Sequence, residues 1–161
     1  MATPAIDSDV LLCAGDSGDL DAVMSVMNGA FGDRFGEAWT RSQCAGILPM
    51  TGVLLVVARE LSSSEVVGFF LSRTVADESE LLLLGVDPTR QRQGVGSRLL
   101  EEFMLRARNQ GLSRVHLEVR DGNPAVEMYR EAGFHPIGRR RNYYRAQDGR
   151  RFDALTLAHE L

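Results

Sequence analysis

Apolar positions change their spacing several times along the chain, and each change marks an element. Val10 to Cys13 is a short apolar run that reads as a first edge strand. Leu20, Val23, Met24, Met27 and Phe31 then recur at helical spacing, with Asp16, Ser17 or Asp19 placed to cap that helix. Gly32 to Gly36 breaks the pattern. Thr40 can cap a second short helix through Cys44 to Leu48, and Pro49 to Gly52 turns the chain.

Val53 to Ala58 and Val66 to Val75 read as two strands joined through the polar loop Ser62 to Glu65. After an acidic turn, Asp77 to Glu80, the run Leu81 to Val86 is too short for a globular helix and fits a buried strand. Asp87 and Pro88 end it, since Pro88 lacks an N–H and disfavours helix at Asp87. Leu99, Leu100, Phe103, Met104 and Ala107 then mark a long helix ending near Gly111. Arg114 to Val119 alternates as a strand. Asn123-Pro124 opens a helix that runs to Ala132 and stops at Gly133. Pro136 to Tyr144 and Phe152 to His159 read as strands joined by Gln147-Asp148-Gly149, a hairpin signal.

The predicted order is β-α-α-β-β-β-α-β-α-β-β. Antiparallel neighbours followed by strand-helix-strand units give an α/β (α+β) domain over 1–161. Its central sheet is mixed, mostly antiparallel and of about seven strands, with helices on both faces. No internal repeat, linker or low-complexity segment interrupts it.

The junction Leu81 to Leu100, LLLLGVDPTRQRQGVGSRLL, carries the first chemistry. Two glycines between a strand and a helix allow close backbone approach and leave N–H groups facing outward, a place to hold phosphate. A P-loop would need Lys and then Ser/Thr after its last glycine, where Ser97 and Arg98 follow instead. A dinucleotide fingerprint would need a third glycine where Leu99 stands.

Composition narrows the setting without naming a chemistry. The chain has 161 residues, 44% of them apolar and 25% charged, as in an ordinary globular domain. A net charge of −4 argues against general nucleic-acid affinity. The distribution is uneven: acids alone precede Arg34, and arginines crowd Arg139 to Arg151. All 18 basic residues are Arg, so acetylation of the chain's own lysines is excluded. Cys13 and Cys44 have no metal or redox spacing, which suggests free thiols in a reducing compartment. His116, His135 and His159 have no ligand spacing with Cys or acids, and no metal is expected. MATPAIDSDV has neither a basic start nor an apolar core, so no secretion signal is read there. No apolar run approaches about 18 residues, so no membrane span is expected and a cytoplasmic location follows.

The motif Q-x-x-G-x-G after V-D-P resembles the acetyl-CoA loop of the GCN5-related N-acetyltransferases (GNAT). VDPTRQRQGVGSRLL, HLEVRDGNPAVEMYREAGF, RRRNYY and DGRRFDAL together resemble the bacterial ribosomal-protein-alanine branch of that family, over roughly Leu81 to Leu157. The first 80 residues match weakly, through Ala30-Phe31 and the Trp39 neighbourhood. The resemblance implies the GNAT fold, acetyl-CoA as donor and a protein N-terminus or other primary amine as acceptor.

By the same resemblance, the main chain of Leu84, Gly85 and Val86 pairs with the pantetheine arm. Gln91, Arg92, Gln93, Gly94, Val95, Gly96 and Ser97 hold the pyrophosphate, and Asn123 contacts the coenzyme near its thiol. Phe35, Glu37 and Trp39, with Asn142, Tyr143 and Tyr144, are candidates to wall the acceptor groove. Between Asn123 and Tyr129 the chain is one residue shorter than the usual pattern of the family, and Phe152 stands where the family has an acid.

Amine acetylation needs a neutral amine and a proton for the departing thiolate. Strand alternation puts His116, Glu118 and Arg120 on one face, and Glu118 is the candidate base, directly or through water. Tyr129 is the candidate acid, since a phenol can donate to a thiolate. Each also has a structural alternative: Glu118 as partner to an arginine, Tyr129 as one residue of a buried helix face with Val126 and Ala132. The arginines at 139–141 equally suit a solvated edge strand. The leading reading is transfer to a protein N-terminus, and the resemblance implies the N-terminal alanine of a small-subunit ribosomal protein. Transfer to a small amine or lysine is the near alternative. A non-catalytic acyl-CoA sensor is the other class, which the presence of both Glu118 and Tyr129 disfavours.

Overall fold

The structure of the chain, a computed structural model, describes residues 9–161; the reading of the amino terminus falls mostly on residues outside that range. Its elements follow the predicted order: β1 Val10–Ala14, α1 Leu20–Phe31, α2 Arg41–Ile47, β2 Val53–Glu60, β3 Val66–Val75, β4 Glu78–Val86, α3 Val95–Asn109, β5 Arg114–Arg120, α4 Ala125–Glu131, β6 His135–Arg145 and β7 Arg151–Glu160. One seven-stranded sheet runs β1-β2-β3-β4-β5-β7-β6. Among the described residues only the β4–β5 pair is parallel. Among the described residues no helix is long and apolar enough to cross a membrane.

The helices divide between the two faces. On one, Val95, Leu99, Leu100, Phe103, Met104 and Ala107 of α3, with Tyr129 of α4, pack on Phe70, Leu81, Leu117 and Leu157. On the other, Leu20, Val23, Val26 and Met27 of α1 and Cys44 of α2 cover Leu55, Val57, Phe69, Leu71 and Leu83. The period-2 strands supply both layers, because alternate side chains leave opposite sides of the sheet.

Helix starts follow local chemistry. Thr40 Oγ1 accepts from the Gln43 amide at 3.1 Å and Gln43 Oε1 accepts from the Thr40 amide at 2.7 Å, a reciprocal cap for α2. Asp16 and Asp19 make the same exchange one turn ahead of α1, around a short 3-10 turn at Ser17–Asp19. Asn123 Oδ1 accepts from the Ala125 amide at 2.9 Å and so caps α4, with Pro124 already in helical dihedrals.

The acidic stretch before Leu81 departs from expectation. It forms the first residues of β4 rather than a turn, and only Ala76-Asp77 remains between β3 and β4. The cross-strand register explains this. Glu80 lies opposite Arg73 on β3 and His116 on β5, while Glu78 lies opposite Arg114. Cations on the neighbouring strands make the carboxylates acceptable within a sheet.

Two irregularities shape the centre of the molecule. The β3–β4 register shifts so that Leu71 faces Leu83 while Ser72 faces Leu81, leaving Leu82 as an extra residue. The β4–β5 pairing stops at Leu81↔Leu117, although β5 stays paired with β7 to Arg120. The sheet therefore splits between the end of β4 and the end of β5.

Candidate active site

The split is the centre of the site. Past Leu81 no described strand pairs with β4 on its β5 side, so main-chain groups of Leu82–Gly85 facing the gap are left for a ligand. Gly85 has a packing reason as well: a Cβ there would come within 3.0 Å of the Phe69 ring and 3.4 Å of Phe31. Val86 is a core residue, and its carbonyl accepts from Gln91 Nε2 at 3.3 Å.

The turn after β4 is tied down internally. Asp87 Oδ1 accepts from the Thr89 amide and hydroxyl, at 2.9 and 2.7 Å. Arg90 donates to Gln93 Oε1 at 2.8 Å and pairs with Asp9 and Glu60. Gln91 and Gln93 thus brace the loop. Arg92, held at φ 61°, is exposed and has no ion-pair partner among the described residues. Gly94 precedes α3 with φ 86°, and the first helical bond runs from the Arg98 amide to the Gly94 carbonyl at 3.0 Å. The amides ahead of Arg98 are left without helical acceptors at the positive end of a 15-residue helix, which suits an anion. Gly96 needs no unusual dihedral; a Cβ there would instead touch Met128 of α4 at 3.4 Å.

On the other side of the split lies a cleft of about 120 Å³. Leu84, Trp39, Glu118, Asn123, Tyr143 and Tyr144 line it together with Glu37 and Glu80. Residues far apart in the chain thus meet on one wall. Phe35 lies beneath that wall, edge-on to Phe152 at 5.1 Å and under the Arg120 guanidinium at 3.6 Å. Phe152 therefore has an aromatic packing role. Asn142 lies at the surface and does not line the cleft.

Asn142 nevertheless shapes it. β6 and β7 pair at Arg140↔Ala154 and again at Tyr144↔Phe152, so three residues of β6 oppose Asp153 alone. Asn142 takes φ 53° inside this bulge and its amide donates to Asp153 Oδ1 at 3.0 Å. Arg139 donates to the other oxygen of Asp153 at 2.9 Å. In a regular strand Tyr143 and Tyr144 would point to opposite faces; the bulge puts both rings on the cleft, 5.0 Å apart and edge to face.

Glu118 is mostly buried. Its Oε1 pairs with Arg140 Nε at 2.7 Å, and its Oε2 has no hydrogen-bond partner among the described residues. Burial raises its pKa above the ordinary carboxylate range, with Arg140 opposing and Glu80 adding to the rise. Tyr129 lies behind the cleft wall, buried on α4 with its ring 5.9 Å from Phe134. Burial, and then the charge of Glu37, push its phenol well above the usual tyrosine value, so it stays protonated. Asn123 uses its amide twice, donating to Glu37 Oε2 at 2.8 Å and capping α4.

Sequence reasoning missed Glu80, and it missed Arg140 as the partner of Glu118. Both depend on cross-strand register, which no local pattern reports. Arg120 was legible only as a face-mate of Glu118; the structure buries it against Glu37 at 3.0 Å.

The split beside β4, the glycine turn into α3 and the carboxylate-lined cleft adjoin as one candidate site. The chain belongs to the acetyltransferase (GNAT) family, whose model matches residues 20–134. Several relatives that it matches are named as N-acetyltransferases. It is 38% identical over 97 residues to the [ribosomal protein bS18]-alanine N-acetyltransferase of Escherichia coli (strain K12), covering 60% of this chain and 65% of that one. Over 91 residues it is 42% identical to the N-alpha-acetyltransferase RimI of Mycobacterium tuberculosis, covering 56% of this chain and 54% of that one. The matched segments thus span under two thirds of these two relatives. The crystal structure of the E. coli ribosomal-protein-S18-alanine N-acetyltransferase superposes with a TM-score of 0.84 at 29% identity, over 94% of this chain and 93% of that one. Arabidopsis thaliana NAA60 in complex with acetyl-CoA shares the fold, with a TM-score of 0.80 at 17% identity over 94% and 98% of the two chains.

Proposed function

We propose that the chain transfers acetyl from acetyl-CoA to the N-terminal amine of a protein, with a small-subunit ribosomal protein beginning in alanine as the acceptor. The β6 bulge carries this reading. It sets two tyrosine rings beside Glu118 in an open cleft, and such a wall suits an extended peptide end whose amine points inward. The names of the relatives support the same acceptor. Two free thiols suit a cytoplasmic setting.

Acetyl-CoA, when bound, supplies the activated acyl group. The free edge of β4 aligns its arm, and the amides at the start of α3 with Arg92 hold its phosphates. Glu118, its Oε2 free, takes the proton from the acceptor ammonium, directly or through water. An α-amine with pKa near 8 needs less help than a lysine near 10.4. Tyr129, kept protonated by burial, returns a proton to the leaving thiolate.

The test is CoA thiol release against a panel of peptides and small amines. A peptide with N-terminal Ala and an internal Lys is then analysed by mass spectrometry. Acetyl chiefly on the α-amine is the expected outcome. Acetyl chiefly on lysine, or release only with small amines, overturns the acceptor assignment.

A further inference from the structure

The candidate base is covered on both of its oxygens. Glu118 Oε1 pairs with Arg140 Nε at 2.7 Å, and Oε2 is buried without a hydrogen-bond partner among the described residues. The side chain of Glu118 is 12% exposed and that of Arg140 62%. A cation entering the cleft from solvent therefore meets the guanidinium before it can reach the carboxylate. The register explains how Arg140 comes to lie there. Glu118 is opposite Thr156 of β7, and Thr156 is opposite Gly138 of β6, two residues before Arg140. Arg140 itself pairs with Ala154, so its side chain reaches Glu118 diagonally across β7, past small residues, on the face the two share.

Little else holds Arg140 in place. Its neighbour Arg139 is tethered by two carboxylates, Asp121 at 2.8 Å and Asp153 at 2.9 Å, whereas the ion pair of Arg140 among the described residues is with Glu118. β6 is an edge strand, and its bulge begins directly after Arg140. The guanidinium carbon lies 5.5 Å from the centre of the Tyr143 ring on the cleft wall, a second face on which the cation can rest. The other groups around Glu118 do not replace this partner. His116 and Arg120 flank it on β5, Glu80 approaches from β4 and Thr156 from β7, and Glu37, Tyr143 and Tyr144 line the same cleft. Arg120 is committed to Glu37 at 3.0 Å, and the two glutamates repel a carboxylate.

We propose that Arg140 selects the acceptor: its guanidinium occupies the place of the acceptor's ammonium and is displaced by it at each turnover. The α-ammonium takes over the pairing with Glu118, the carboxylate turns an oxygen toward it, and Arg140 moves out along the Tyr143 ring. Exchange of one cation for another leaves no charge stranded, and an ion pair to so exposed an arginine is weak enough to give way. The acetylated product is a neutral amide with nothing to keep the guanidinium off Glu118, so Arg140 returns as the product leaves. An acceptor whose amine carries no positive charge cannot open the site in this way. Arg140 is a positioning residue that acts through Glu118, and the inference rests on the reading of Glu118 as the group that meets the acceptor amine.

Arg140→Met keeps a long side chain and removes the charge, while Arg140→Lys keeps a cation. A ligand that must first displace a competitor binds more weakly by the fraction of time the site is closed. Arg140→Met should therefore lower KM for an N-terminal Ala peptide roughly three- to tenfold, and Arg140→Lys should bring it back toward the parent. The pH profiles add a readout that packing does not move. Without its cation Glu118 ionises at higher pH in the free enzyme, so the acid limb of kcat/KM moves up in Arg140→Met. The acid limb of kcat reports the complex with acceptor bound, where Arg140 has already left, and should stay at the parental pH. Both limbs moving together would show Arg140 on Glu118 throughout turnover and overturn the proposal, as would an unchanged or raised peptide KM. Calorimetric titration of the same peptide into the CoA-loaded proteins reads the displacement without turnover. Tighter binding by Arg140→Met supports it, and equal or weaker binding overturns it. Ordinary turnover in Glu118→Gln is a separate result: it removes Glu118 as base, while the binding comparison still decides the part played by Arg140.

Discussion

Glu37 Oε1 lies 3.0 Å from Arg120 Nε, and both side chains are about nine-tenths buried where the α1–α2 loop meets β5. Glu37 Oε2 accepts from Asn123 at 2.8 Å, so one carboxylate joins that loop, β5 and the start of α4. Gly36 beside it lets the loop close: a Cβ there would lie 2.0 Å from the Arg145 carbonyl oxygen on β6. The wall of the cleft is thus anchored by a buried ion pair. Removing one partner strands a charge, and Glu37→Ala or Arg120→Ala should each cost roughly 3–5 kcal/mol. Glu37→Gln keeps a polar contact for Asn123 and should cost less. Urea unfolding measures this through the midpoint at constant slope. A parental midpoint for Glu37→Ala would show that the pair contributes nothing.

Much of this architecture was legible in the sequence, because hydrophobic period and turn chemistry are local. Leu81 to Val86, the Thr40 cap and the Asp148-Gly149 hairpin all took the form their residues dictate. What escaped depended on pairing between distant segments. Glu78 and Glu80 look like turn residues until Arg114 and His116 lie opposite them. Tyr143 and Tyr144 look like opposite faces of a strand until Asp153 holds Asn142 in a bulge. Glu37 reads from the sequence as a groove residue, and only the fold shows it paired to Arg120.

The two loop glycines should fail in different ways. Gly94 has open space around it but a left-handed backbone, so Gly94→Ala should cost about 1–2 kcal/mol of local strain. Gly96 has an ordinary backbone and little room: a Cβ would sit 3.4 Å from Met128 and 3.6 Å from Val86. The branches of Gly96→Val therefore press on Met128, Val86 and Leu84 and disturb the loop at the start of α3. The folded variant should lose the thermal stabilisation that acetyl-CoA gives the parent. Undiminished stabilisation by acetyl-CoA would remove the loop assignment.

Glu118 carries a stability cost tied to its role. A carboxyl whose folded pKa is raised contributes stability fully below its unfolded value, near 4.3, and loses it as pH rises through the folded pKa. At neutral pH the ionised group is therefore a burden, since the pair with the exposed Arg140 contributes little. Glu118→Gln should slow transfer roughly 100-fold or more and abolish the acid limb of the pH–rate profile. The same variant should be more stable than the parent at pH 8, with the gain shrinking toward pH 5. Near-normal turnover from pH 6 to 9 (about the useful range) would make Glu118 structural.

Tyr129 must be tested in a way that separates proton donation from packing. Its ring is 6% exposed, edge-on to Phe134, in the core beneath α3 and α4. Truncation to Ala would open a cavity and cost roughly 3–5 kcal/mol, confounding any loss of rate. Phe keeps the ring and removes only the hydroxyl, which has no hydrogen-bond acceptor among the described residues to leave stranded. Stability and acetyl-CoA affinity should therefore hold. If the phenol protonates the departing thiolate, Tyr129→Phe should lower kcat roughly 100-fold at unchanged KM for acetyl-CoA. The raised phenol pKa adds a second signature, because the acid stays loaded well above the usual tyrosine range. The parent should then hold its rate to high pH, without a basic limb from this group. Tyr144 is the control: its hydroxyl sits 3.4 Å from the Glu118 carbonyl at the cleft, so Tyr144→Phe should mainly affect peptide KM. A Tyr129→Phe enzyme with ordinary kcat would show that the thiolate takes its proton from elsewhere, with water as the remaining donor.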